Sequence, residues 1–255
     1  MKAHIVLAHP EPKSFNGRLA EISRNQLVEA GYGVTYSDLY SNGFDPCEGA
    51  HHYAYRQNED QFHAQTEQRF NAGQHTSPLD VAEEYDRLMA SDLLIVHFPL
   101  WWFGMPAILK GWMDRVFIYG SMYTSTKRYG NGVCRGKRIL AAITFGASAD
   151  SCAYNGREGD SRLHIWPLLF PFHYVGFDVL QPSLFHGVGG VASIEEHEDG
   201  ISDLDRYAKR WGETLGDLEN HPAIMFNRDD DFDETKRLKR DAPVYSPFIA
   251  HQPMI

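Results

Sequence analysis

A doubly wound α/β domain on a five-stranded parallel sheet, followed by a C-terminal extension, is the fold that this sequence predicts. Three features carry that prediction. Strand-like and helix-like segments alternate through residues 1–219. The central strands are apolar along their whole length, the habit of strands covered on both faces. The loops behind them are loaded with aromatic or very small residues, as expected where a ligand sits at the carboxyl edge of such a sheet.

Residues 3–8 (AHIVLA) form the first strand. Ser14 is placed to cap the next helix, whose Leu19, Ile22, Leu27 and Val28 keep helical spacing up to Gly31. Strand, turn and capped helix start make a cradle for an anion, because free N–H groups and the helix dipole favour negative charge there. An ordinary strand-to-helix turn is the plainer alternative, and neither GxGxxG nor GxxxxGK[ST] is present. Residues 33–39 read as a second strand near the sheet edge. Residues 41–78 are polar, weakly periodic and rich in His and Gln, an excursion with one helix at most. Its His51, His52, His63 and His75 lack the H-x-x-x-H spacing of a zinc helix, so they read as solvated loop residues and no metal is expected.

Val81, Tyr85, Leu88 and Met89 mark a helix that leads into a third strand over residues 92–98. The stretch FPLWWFGMPAILKGWMDRVF follows directly and organises the chain. Its loop carries Trp101, Trp102 and Phe103 within a few residues, and each large aromatic offers roughly 150–250 Å² for burial. Such side chains enter a core or face a flat apolar ligand. Pro106 stands where a helix begins, and Ile108, Leu109, Trp112, Met113, Val116 and Phe117 then recur on one helical stripe. A Gly- and Tyr-rich loop over 119–137 precedes a fourth strand, 138–144, which ends in the small-residue loop Phe145, Gly146, Ala147. A helix around Pro167, a fifth strand opening at 177–180 and a helix near 202–218 complete the unit. Residues 220–255 differ. A charged run, Arg228 to Glu234, gives way to Pro-punctuated apolar residues, which favours an arm lying on its own or a partner subunit.

Composition narrows the function. A formal net charge of −10 argues against a nucleic-acid surface, and 43% apolar residues suffice for a core. No apolar run approaches the ~18 residues of a membrane span. Three cysteines without ligand spacing read as reduced thiols, so a soluble cytoplasmic protein is expected.

At this level the chain resembles the NAD(P)H:quinone oxidoreductases of the DT-diaphorase type, which have the flavodoxin-like fold. Three segments carry the likeness: His9 with Ser14, Phe15 and Asn16; the stretch FPLWWFGMPAILKGWMDRVF; and residues 144–160 followed by Trp166 and Pro167. The resemblance implies a homodimer binding FAD (FMN second), with NAD(P)H as reductant and a quinone as acceptor. By position, His9, Ser14, Phe15 and Asn16 would hold the phosphate and ribityl side of the flavin. Pro99, Leu100, Trp101, Trp102 and Phe103 would line its ring, and Thr144, Phe145, Gly146 and Ala147 would cover its polar edge. Tyr123 and Tyr129, with Trp102 and Phe103, match substrate-pocket positions.

Some positions depart from the family. A tyrosine and a histidine steady charge on the family's flavin; ungapped counting puts Cys152 and Glu158 there, with Tyr154 two residues from the first. These three are the candidate catalytic residues. Trp101 replaces a usual glutamine. The departures leave two alternatives open: a reductase of azo, nitroaromatic or other conjugated acceptors, and an electron carrier or regulatory flavoprotein without turnover.

Overall fold

The computed structural model describes residues 1–189 and 202–252. Its sheet is built from β1 (Lys2–Leu7), β2 (Gly33–Asp38), β3 (Leu93–Pro99), β4 (Arg138–Thr144), β5 (Asp178–Val179) and β6 (Ser183–Phe185). The strand order is β2-β1-β3-β4-β5, every pairing is parallel, and β6 also pairs with β4. Six α-helices are described: α1 (Phe15–Glu29), α2 (Ala64–Gln74), α3 (Leu79–Ala90), α4 (Ala107–Val116), α5 (Ser161–Tyr174) and α6 (Asp203–Gly216). No described helix is long and apolar enough to cross a membrane.

The central strands divide their side chains with the two-residue period of a pleated sheet. Leu94, Val96 and Phe98 of β3 join one core layer with Leu88, Ile108, Trp112, Phe117 and Phe172. Leu93 and Ile95 join the other, with Leu19, Leu27, Phe185 and Trp211. Both layers hold polar anchors. Trp112 Nε1 donates to Glu84 Oε2 at 2.8 Å, and Trp211 Nε1 donates to Ser23 Oγ at 2.9 Å.

Two expectations need correction. The fifth strand is split, giving a sixth. Leu180 N–H still bonds to Ile139 O at 2.8 Å, but Gln181 N–H turns away to Pro222 O at 2.7 Å. Pro182 then has no N–H to give, and the chain rejoins β4 as β6. Pro106 is the N-cap of α4 rather than its first residue. Ile108, Trp112 and Phe117 of this aromatic stretch are buried in the core layer against the sheet.

The excursion before α3 is less solvated than its composition suggests. Glu67, Gln68 and Asn71 of α2 are buried. Glu67 accepts the N–H groups of Gln57 and Asn58 and faces Arg56 at 3.3 Å. The arm beyond residue 220 touches its own chain: Phe226 stacks on His173 at 4.2 Å and Phe248 on Trp166 at 4.9 Å.

Candidate active site

The register brings the loops after β1, β3 and β4 to one edge, with Pro99 opposite Thr144 and Leu7 opposite His97. The first loop is closed by a capped helix start: Ser14 Oγ accepts the Gly17 N–H at 3.1 Å. Gly17 is required here, since a Cβ would lie 2.0 Å from Pro12 O. Asn16, 2% exposed, donates through Nδ2 to Thr144 Oγ1 at 2.8 Å and so ties the β1 loop to the end of β4. Its Oδ1 is buried without a partner among the described residues. An unmatched buried acceptor costs about 1–3 kcal/mol, so this atom points to a missing donor. His9 accepts the Glu11 N–H through Nδ1. Burial lowers its pKa, so the ring is neutral near pH 7 with its proton on Nε2.

The second loop is a tight reversal. Trp101 and Gly104 exchange both backbone hydrogen bonds at 3.0 Å. The two residues between them, Trp102 (φ 51°) and Phe103 (φ 59°), both lie in the left-handed region. This is the mirror-image geometry of a two-residue hairpin, which normally selects Gly, Asn or Asp. Each bulky residue held there costs roughly 1–2 kcal/mol. The strain holds aromatic surface out in solvent, leaving Trp101 41%, Trp102 97% and Phe103 51% exposed. Strained, outward aromatics at a sheet's carboxyl edge are the signature of a ligand wall.

The third loop faces them. Leu100 N–H bonds to Thr144 O at 2.8 Å, fixing the distance between the two loops. Phe145 is anchored by its N–H to Phe185 O and by stacking on His186 at 4.5 Å. The N–H groups of Gly146 and Ala147 find no partner among the described residues.

Between these loops lies a cleft of about 880 Å³, within the usual range of cofactor sites. His9, Ser14, Phe15, Asn16, Pro99, Leu100, Trp101, Trp102, Thr144 and Gly146 all line it. A side chamber of about 200 Å³ shares Leu100, Trp102 and Gly146, and adds Phe103, Phe145, Ala147, Cys152 and Glu158. Every residue expected to hold the cofactor is therefore on one of the two walls.

The other expectations fare differently. Tyr154 is 81% exposed and lines neither space, so it does not stand in for the family tyrosine within this chain. Burial pushes the Cys152 thiol up, which keeps it protonated. Tyr123 and Tyr129 also lie off both walls. They pack around Tyr174, at 5.8 and 5.0 Å between ring centroids.

Sequence patterning does not single out His164, because it sits among Leu163, Ile165 and Leu168 of an apolar helix. Asp160 caps α5, and the first turn of that helix carries His164 into the side chamber. Its ring lies 4.9 Å from Phe103, and its Nε2–H donates to Glu158 O at 2.8 Å, which leaves Nδ1 as the atom free to take a proton. The available signal was position, since the first turn of a helix after a strand-end loop faces the ligand edge.

Residues 1–211 match the protein-family profile described as the flavodoxin-like fold. The mouse ribosyldihydronicotinamide dehydrogenase [quinone] is 39% identical over 201 residues, covering 77% of this chain and 86% of that protein. The guinea-pig (Cavia porcellus) NAD(P)H dehydrogenase [quinone] 1 is 38% identical over 217 residues, covering 84% and 78%. Among solved structures, a candidate quinone reductase from Klebsiella pneumoniae superposes with a TM-score of 0.83 at 29% identity, covering 94% of each chain. The cleft, its aromatic wall and these likenesses agree: the chain belongs to the NAD(P)H:quinone oxidoreductase family of flavodoxin-like proteins.

Proposed function

We propose that this chain is a flavin-dependent two-electron reductase that passes hydride from NAD(P)H to a quinone. The observation that carries the reading is the open slot between the strained Trp102 and Phe103 turn and the Gly146 and Ala147 loop. A bound flavin would supply the redox chemistry by accepting and returning a hydride; the protein supplies position, dryness and charge.

The residues present suit that group. Trp101, Trp102 and Phe103 offer a flat apolar wall, and the unpaired Asn16 Oδ1 can accept from a ligand donor. The unpaired N–H groups of Gly146 and Ala147 would stabilise developing negative charge at the opposite edge; one such donor is worth about 3 kcal/mol at comparable sites. The Ser14-capped start of α1 favours a phosphate. His164 holds its Nε2 proton on Glu158 O and is placed to exchange a second proton at Nδ1 with an acceptor that gains hydride. NAD(P)H and acceptor would use the same exposed face in turn.

FAD is favoured over FMN by the family resemblance and by a cleft that continues past Phe15 to Val188 and Leu204. A homodimer is favoured by Tyr123 and Tyr129, which miss the chain's own walls and so need a second copy to reach a substrate. The arm expected over 220–255 packs on α5 through Phe226 and Phe248, its last three residues lying outside the described ones, and three unpaired thiols suit a reducing, cytoplasmic setting. The test is purification without added cofactor. The protein should be yellow, release FAD by mass on denaturation, and oxidise NADH or NADPH with a quinone. A colourless chain that neither FAD nor FMN reconstitutes would overturn the reading.

A further inference from the structure

Away from the cleft, on the segment between β2 and α2, three side chains converge on one point. Asp45 Oδ2 lies 3.3 Å from His51 Nε2 and 3.5 Å from His52 Nε2. The ligand-capable atoms of all three residues fall within 4.8 Å of one another. A well-made N–H···O bond is shorter, about 2.9–3.0 Å. Donors held about 2.0–2.1 Å from a tetrahedral zinc stand about 3.3–3.4 Å apart, which matches both separations.

The convergence is built. Consecutive residues of a 3₁₀ turn leave its axis about 120° apart, yet the His51 and His52 rings lie 3.9 Å apart on the turn Ala50–His52. The carboxylate is oriented from behind, because Asp45 Oδ1 accepts the Cys47 N–H at 2.9 Å. Its backbone is pinned too: Asp45 O accepts from Nη1 of the buried Arg115 at 2.7 Å. Pro46 rests on α4 at Gly111, where a Cβ would lie 2.4 Å from Pro46 Cα. Oriented ligands of this kind distinguish a site from a mobile surface cluster.

We propose that Asp45, His51 and His52 form a zinc site, with two imidazole nitrogens, one carboxylate oxygen and a fourth position open to water. The donor set suits zinc rather than calcium or magnesium, which take oxygen ligands. Without metal, His52 Nε2 donates its proton to Cys47 O at 2.9 Å. Metal uptake needs the other neutral tautomer: solvent carries the proton from Nε2 to Nδ1, the bond to Cys47 O breaks, and the Nε2 lone pair becomes the ligand. The ion then staples the excursion over residues 45–52 against itself. The sequence overlooked the site because H-x-x-x-H spacing describes a helix, whereas these ligands meet across a turn.

The test is independent of the redox reading. The full chain is stripped with a chelator and titrated with zinc chloride by calorimetry, with the melting temperature recorded in parallel. One zinc per chain and a raised melting temperature are expected. His51→Gln and His52→Gln, both at the surface turn, should each weaken binding at least ~tenfold, a loss that removing even an outer-shell partner can cause. His63→Gln and His75→Gln, which alter exposed histidines elsewhere in the excursion, should leave the isotherm intact. Absence of stoichiometric binding, or binding unchanged by His51→Gln and His52→Gln, overturns the proposal.

Discussion

Trp102 and Trp112 stand ten residues apart in one aromatic stretch and meet opposite fates. Trp112 is fully buried under β3, its Nε1–H bonded to Glu84, while Trp102 is 97% exposed on a strained turn. Composition cannot separate them, but period can. Trp112 recurs with Ile108, Leu109 and Val116 on one helical stripe, so it packs. Trp101, Trp102 and Phe103 have no period and lie between a strand end and a helix cap, so the backbone presents them to solvent. Aromatic surface without a period, at the carboxyl edge of a parallel sheet, is therefore ligand wall rather than misplaced core.

The largest effect should come from breaking the buried half of this pair. Trp112→Ala opens a cavity under β3 and removes a donor from Glu84, which should destabilise the fold by about 3–5 kcal/mol in denaturant unfolding. Trp102→Ala should leave stability nearly unchanged while weakening flavin retention. Equal destabilisation by the two variants would erase the distinction drawn here.

Acid should attack the buried side next. His97 is buried with Nε2 on Ser23 Oγ and Nδ1 without a partner, and burial lowers its pKa to about 3. Burial alone would raise Glu84, but the nearby His4 ring and hydrogen bonds from Ser37 and Trp112 outweigh it and hold the carboxyl at about 2. Both groups bind fewer protons folded than unfolded. Their stabilisation is complete above about pH 6.5 and falls as the pH drops from 6.5 towards 3 for His97 and from 4.5 towards 2 for Glu84. The His97 limb should have a slope of roughly 1.4 kcal/mol per pH unit. Melting temperatures between pH 7 and 4 check it, and His97→Gln should flatten that limb.

On the exposed side the effects move from stability to turnover. His164→Gln should slow quinone reduction by about 10²-fold, with flavin content unchanged. An unaltered rate would leave the imidazole a packing residue against Phe103. The smallest shift is expected from Trp102→Gly. Relieved left-handed strain and the added freedom of glycine oppose each other, so stability should change by no more than about 1 kcal/mol.

The sequence carried most of the architecture because local rules and tertiary contacts agree there. Uninterrupted apolar runs mark β1, β3 and β4, Ser14 marks the start of α1, and ten of the thirteen residues lining the large cleft are legible in the loops, whereas Val188, Gly189 and Leu204 are not. The sequence pattern predicts a single fifth strand because Pro182 breaks the ladder only where Gln181 finds Pro222, 41 residues later. The burial of Glu67 and Asn71 is not legible in the sequence because their partners include backbone groups of the preceding loop, which no periodicity registers. His164 and the Asp45, His51 and His52 group were lost for the same reason: one is masked by apolar neighbours, and the other meets across a turn. Ungapped counting aligned Cys152 and Glu158 with family positions but could not tell that the loop turns Tyr154 outward.

Diffraction from crystals of the flavin-loaded protein tests the central claim most directly. Density for a flat tricyclic ring should lie between Trp102 and Phe103 on one side and Gly146 and Ala147 on the other, with those N–H groups within about 3 Å of its polar edge. Indoles folded into the core over a closed slot, or flavin bound away from these loops, would contradict it.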